Sequence, residues 1–264
     1  MARFGLTIVR HGETRYNKEK MLQGQGVDEP LSETGFKQAD AAGRFLSSVK
    51  FTHIFSSDLI RAKQTACSIM KNNQRSEPVT INYDSRLRER KYGAAEGRPL
   101  SELKTMAKTA GQQCPSYTPP GGETLEEVRA RAKDFFEFLC RLMIEESRAA
   151  GSPGITPADL APFTNHGCAT TDSGDNTLDA HVLLVSHGAY MRNWIKYFVE
   201  DLQFTFPPDL KKSRELSVSP NTGISHFIVR VESGGNTIPK IHCVCINRHD
   251  HLADVNADTS HYVV

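Results

Sequence analysis

Short apolar runs that stop abruptly at polar residues mark the strands of this chain. Phe4 to Arg10, His53 to Ser56, Thr80 to Tyr83, His181 to Ser186, Ser225 to Val231 and Ile241 to Ile246 each have strand length and apolar or alternating character. Between them lie helical patterns. Helices are predicted to begin near Ser32, near Asp58 with Ser57 or Asp58 as cap, and at Thr124, where Glu127 completes a capping box. A further helical pattern runs from Tyr190 to Val199. Strands alternating with helices predict an α/β protein built as an α/β/α sandwich. Pro119-Pro120-Gly121-Gly122 breaks the chain before the Thr124 helix. The stretch 148–179 is rich in Gly, Ser, Thr, Pro, Asn and Asp without periodicity, and is expected to be a mobile surface insertion.

Composition narrows the class. With 264 residues, 38% hydrophobic content and a net charge of +1, the chain can bury a sizeable core, and it carries no global charge bias toward nucleic acid or membrane. No apolar run is long enough to span a bilayer. A signal peptide of typical length would carry away His11, so secretion is not expected. The six cysteines are scattered, with only Cys243 and Cys245 close; at that spacing a strand puts both thiols on one face. This is no Cys-x-x-Cys pattern, and reduced thiols in a cytoplasmic protein are expected. No two histidines fall in a His-Glu-x-x-His arrangement, so no metal is expected. His249-Asp250-His251 is expected to be a solvated tail.

The chemistry concentrates where strands end. The first apolar run stops at Arg10-His11-Gly12-Glu13-Thr14, and the fourth stops at Ser186-His187-Gly188. Ligands of open α/β sheets bind beyond the carboxyl ends of strands, so two strand-end histidines suggest one shared site. Arg61 would fall in the first turn of the helix after Ser56-Ser57, where backbone N–H groups and the helix dipole favour anions; taken alone, it reads sooner as a surface arginine. Glu89 lies among Arg88, Arg90 and Lys91 in what is otherwise a solvated charge run.

In this order, Arg10-His11-Gly12-Glu13-Thr14, Ser56-Ser57 through Arg61, Glu89, and Ser186-His187-Gly188 resemble the histidine phosphatase superfamily, the phosphoglycerate mutase-like family, over about residues 4 to 250. The segments Gln23 to Gly35, Arg88 to Gly93 and Ser186 to Arg192 resemble its fructose-2,6-bisphosphatases. The resemblance implies a single domain over 1–264, a mainly parallel central sheet, and a cap formed by 93–122. It implies a metal-independent phosphatase with no cofactor, acting on a small phosphate ester, most specifically fructose-2,6-bisphosphate, and thereby lowering glycolytic flux, with roles in apoptosis and autophagy. No Gly-x-x-x-x-Gly-Lys-[Ser/Thr] loop is present, so no kinase domain of the bifunctional kind is expected.

His11 would attack phosphorus while its second ring nitrogen donates to backbone. Glu89 would protonate the leaving oxygen and then take a proton from the attacking water. His187, Arg10 and Arg61 would hold the equatorial oxygens. By resemblance, Asn17 and Gly188 complete the phosphate pocket, and Gln23, Gly24 and Tyr92 face the rest of the substrate. A bisphosphoglycerate phosphatase or phosphoglycerate mutase is the related alternative. A phosphate-sensing scaffold that binds a protein partner through 148–179 is the alternative of another class. Neither nucleic acid nor a membrane span is expected, and the location is cytoplasmic with nuclear or mitochondrial association by resemblance.

Overall fold

The computed structural model describes residues 1–149, 154–163, 177–206, 217–232, 238–253 and 255. Seven strands form one sheet: β1 (Ala2–Arg10), β2 (His53–Ser56), β3 (Ile81–Tyr83), β4 (Ala180–Ser186), β5 (Gln203–Thr205), β6 (Ile224–Val231) and β7 (Lys240–Arg248), in the order β3-β2-β4-β1-β6-β7-β5. The β3-β2-β4-β1 half is parallel, β6 runs antiparallel to both β1 and β7, and β5 is parallel to β7. The sheet is therefore mainly parallel, as expected. Six strands match the predicted runs to within a residue or two, whereas the three-residue edge strand β5 is too short to leave a periodic signal.

Helices α2 (Glu33–Phe45) and α3 (Ile60–Asn72) cover one face and α5 (Leu125–Arg148) and α6 (Gly188–Asp201) the other. This makes the three layers. On the first face Ala42, Ala62, Ala66 and Ile69 pack on Val9, Ile54, Leu183 and Val185. On the second, Phe135, Phe136, Trp194 and Phe198 pack on Phe4, Leu6, Leu184 and Phe227. The central strands are buried on both faces, which is why β4 is apolar throughout rather than alternating. Helices α1 (Arg15–Lys18) and α4 (Leu100–Thr109) were not predicted from the sequence.

Parallel register creates the functional edge. Arg10 lies opposite Ser186, and Ser56 opposite Val185, so the next residues His11, His187 and Ser57 emerge side by side at the carboxyl ends of three adjacent strands. The main chain closes there with His11 N–H donating to Ser186 O (2.9 Å) and Ser57 N–H to Val185 O (3.0 Å).

Four local expectations change. The N-cap of α3 is Leu59, not Ser57 or Asp58, because the Ser57 hydroxyl is engaged by His187 and Asp58 by Arg88; Asp28 from another loop accepts the Ile60 N–H instead. Cys243 and Cys245 contribute to clusters on opposite faces, because a register irregularity between β6 and β7 at His226/Phe227 offsets the two-residue alternation. His251 is not solvated: its ring lies 5.5 Å from that of Phe45, and Nε2 is 3.1 Å from Thr222 Oγ1. Much of the 148–179 stretch lies outside the described residues; within them Ile155 and Leu178 form an antiparallel bridge. No helix among the described residues is long and apolar enough to cross a membrane.

Candidate active site

His11 is fixed by the turn that follows β1. Its Nδ1 is 2.7 Å from the carbonyl oxygen of Gly12. A carbonyl only accepts, so Nδ1 carries the proton and Nε2 keeps the lone pair. Gly12 is itself held by donating its N–H to Thr65 Oγ1 at 3.0 Å, and Thr65 donates back to Arg61 O at 2.8 Å, tying the β1 terminus to the first turn of α3. A side chain at Gly12 is excluded, because a Cβ there would lie 2.5 Å from Gly35 O at the start of α2.

Around His11 stand two buried guanidiniums. Arg10 donates to Ser219 O at 2.6 Å. Arg61 donates to Gly24 O at 2.9 Å and Val27 O at 3.3 Å, while its Nε has no hydrogen-bond partner. Burial lowers the Arg61 pKa to about 10, so it remains cationic at neutral pH. Burial first, then the charges of Arg61 and Arg10, push the His11 pKa well below its ordinary value. The imidazole is thus neutral, as a nucleophile must be.

His187, the N-cap of α6, lies beside His11 with ring centroids 5.1 Å apart. Its Nε2 is hydrogen-bonded to Ser57 Oγ at 2.8 Å, and it too is kept neutral by burial and by Arg61. Glu89 is brought in by the loop after β3. Both its oxygens meet the start of α6, accepting from Tyr190 N (2.9 Å) and Ala189 N (3.1 Å), and Oε1 also accepts from Arg90 N (2.8 Å). The neighbours in its charge run have structural duties. Arg88 forms a two-pronged pair with Asp58, and buried Arg90 donates to the carbonyls of Pro115, Tyr117 and Glu123.

A cavity of about 270 Å³ opens above this floor. Arg10, His11, Asn17, Arg61, Glu89 and Gly188 line it, together with Gln23, Gly24 and Tyr92. The side-chain amide oxygen of Gln23 is buried without a hydrogen-bond partner. His187 is not part of the cavity wall; it stands behind His11. Lys20, Arg192 and Lys196, which sequence reading did not single out, also line the cavity. Lys20 holds a left-handed backbone, φ +56°. Nor did it find Glu96, whose carboxylate accepts from Gln25 N (3.1 Å), Gly26 N (2.7 Å) and Tyr92 N (2.7 Å), pinning the loop whose carbonyls hold Arg61. Glu96 fills space that only glycine leaves: a Cβ on Gly24, at φ +57°, would collide with its carboxylate.

The model of the histidine phosphatase superfamily, branch 1, matches residues 6–148. The chain belongs to that superfamily. The matched span contains His11, Arg61 and Glu89 and ends before β4, whose register with β1 brings His187 beside His11. Among curated relatives, the fructose-2,6-bisphosphatase TIGAR of Xenopus laevis is 75% identical over 275 residues, covering all of both chains. That of Mus musculus is 52% identical over 266 residues, covering 97% of this chain and 98% of the relative. Among solved structures, a phosphoglycerate mutase from Bacillus anthracis superposes with a TM-score of 0.65 at 20% identity, over 96% of this chain and 97% of the other. A mycobacterial glucosyl-3-phosphoglycerate phosphatase with inorganic phosphate gives 0.62 at 22% identity, over 94% and 98%. At those identities the structures speak to the fold alone.

Proposed function

We propose that this chain hydrolyses phosphate monoesters through a phosphohistidine at His11, and that its substrate is fructose-2,6-bisphosphate, attacked at the 2-phosphate. The observation that carries the chemistry is the fixed tautomer of a neutral His11 between two buried guanidiniums. Nε2 holds a lone pair beside the place where Arg10, Arg61, Asn17 and the start of α6 converge. Those donors suit the equatorial oxygens of a transferring phosphoryl group. Glu89, which lines the same cavity, would give its proton to the leaving sugar oxygen and then take one from water attacking the phosphohistidine. His187, in contact with the His11 ring, would become the cationic partner once a dianion enters, since negative charge favours the protonated imidazole.

The substrate assignment rests on the full-length similarity to fructose-2,6-bisphosphatases. The cavity supports it. Beyond the reacting phosphate, Lys20, Arg192 and Lys196 offer positive charge to a second anionic group, and segment 93–122 would serve as a cap against which the sugar rests. Removing this bisphosphate would lower glycolytic flux.

The test is phosphate release by the purified protein in EDTA from fructose-2,6-bisphosphate, fructose-1,6-bisphosphate, 2,3-bisphosphoglycerate and phosphoglycolate. The first should give the highest kcat/KM, and His11→Ala should abolish release from all. Isomerised phosphoglycerate without net phosphate release would replace the hydrolase reading with that of a mutase.

A further inference from the structure

Just ahead of β6 the chain makes a turn, Ser219-Pro220-Asn221-Thr222-Gly223, which carries no motif but grips the end of β1 at every residue that matters there. Arg10 N–H donates to Gly223 O (3.2 Å), and Thr222 N–H is shared between Arg10 O (3.1 Å) and His11 O (3.3 Å). Asn221, buried, donates through Nδ2 to His11 O (3.1 Å) and to Asn17 Oδ1 (3.2 Å). The backbone is bent hard to achieve this: Thr222 sits at φ +54°, a left-handed conformation that a β-branched residue rarely adopts. Such distortion persists where surrounding structure enforces it, and it gathers at working sites.

The contacts also fix which way the Asn17 amide faces. Thr14 N–H lies 3.1 Å from one end of that amide, and a backbone N–H only donates, so that end is Oδ1. The Asn221 atom facing the same oxygen must be its nitrogen, and the same nitrogen suits the His11 carbonyl. With Thr14 and Asn221 both directed at Oδ1, the NH2 end of Asn17 is the end turned away from them. Asn17 lines the cavity beside Arg10, His11 and Arg61.

We propose that Asn221 is a positioning residue for phosphoryl transfer: it holds the Asn17 amide with its donor end toward the phosphate and ties that donor to the main chain of the nucleophile. This rests on the reading of His11 as nucleophile. Without Asn221, the Asn17 amide loses a donor that sets its orientation, and its link to the His11 carbonyl disappears.

The experiment is a double-mutant cycle of Asn221→Ala and Asn17→Ala, read by orthovanadate affinity in titration calorimetry, alongside kcat on fructose-2,6-bisphosphate and thermal melts. Asn221→Ala should weaken vanadate binding about tenfold and lower kcat by at least that factor. In the Asn17→Ala background the same change should weaken binding by less than about threefold, because the coupling partner has gone. Equal losses in both backgrounds, or unchanged vanadate affinity in a folded Asn221→Ala protein, overturn the proposal. If Asn221→Ala does not fold, Asn221→Asp keeps the size but points an acceptor at two oxygens; it should lose at least as much affinity, and wild-type vanadate binding in that variant overturns the proposal equally. A wild-type protein that binds vanadate but leaves the bisphosphate intact would overturn the substrate assignment while the cycle still tests Asn221. A wild-type protein that does not bind vanadate would overturn the phosphate site itself, and Asn221 with it.

Discussion

At the scale of single residues, the site depends on keeping imidazole neutral in a cationic place. Burial and the nearby Arg61 and Arg10 lower the His11 pKa, and burial and Arg61 lower that of His187. A lowered value means that each ring stays unprotonated below the ordinary 6.5, so both keep a free lone pair throughout the neutral range. Imidazole NMR signals of both should therefore show no titration between pH 6 and 7. A midpoint near 6.5 for His11 would contradict the electrostatic account. Glu89→Gln should lower kcat about 10²–10⁴-fold, the range for a lost general acid, with an unchanged melt; near-normal turnover would remove Glu89 from that role. His11, Arg10, Arg61, Glu89 and His187 were legible in the sequence because each lies at a strand end or in a motif. Ser57 was in the motif but read as a helix cap, and Glu96 and Asn221 were not singled out. Their work is done through main-chain and side-chain partners up to 210 residues away, as between Asn221 and His11, and no local pattern encodes such a contact.

At the scale of elements, the site is a junction of segment ends. The turn after β1 meets the start of α2 so closely that a Cβ on Gly35 would lie 2.0 Å from Glu13 O. Both contacting atoms there are backbone and cannot rotate aside. Gly35→Ala should destabilise the protein by about 2–4 kcal/mol in urea unfolding and lower kcat as well, because the same shift displaces Gly12 and the His11 ring it anchors. Loss of stability with full turnover per folded molecule would show that the turn yields without moving His11. In the loop that carries Gly24, Glu96→Gln should turn one of the two accepting carboxylate oxygens into an NH2 group, leaving at least the Gly26 N–H facing a donor, and weaken vanadate binding about tenfold by loosening Arg61; unchanged binding would separate that loop from the phosphate site. The strands and the main helices were visible as periodicities. The single turn α1 was missed because it buries no residue, and α4 because its apolar contacts, such as Leu103 with Leu22 and Ala95, form a small cluster of their own rather than a face of the main core.

At the scale of the whole molecule, the core stores neutral histidine. Thr7 Oγ1 lies 2.8 Å from His181 Nε2 and 2.9 Å from His226 Nδ1, and Phe163 stacks on His226 at 4.1 Å. Burial lowers His181 to about 3 and His226 well below its ordinary value. With His11 and His187 this makes four buried rings that bind protons more readily in the unfolded chain. Below pH 6.5 the unfolded state takes up protons that the folded state refuses, so stability falls as pH drops, by up to about 1.4 kcal/mol per group per pH unit. Urea melts at pH 7.5 and 5.5 should show a loss of several kcal/mol. A flat profile would mean that the rings are accessible to protons while folded.

The strand order carries a consequence for how the enzyme comes into being. β1, with His11 at its end, leaves the ribosome ahead of the other six strands of the sheet, yet it lies in the sheet's interior. Its parallel neighbour β4 begins at residue 180 and its antiparallel neighbour β6 at residue 224. Contacts so distant along the chain close late and slowly. During synthesis an apolar strand therefore waits without either lateral partner, the kind of exposed edge that chaperones shield. The edge that carries His11 is therefore assembled only after β4 and β6 have followed, long after His11 itself has emerged.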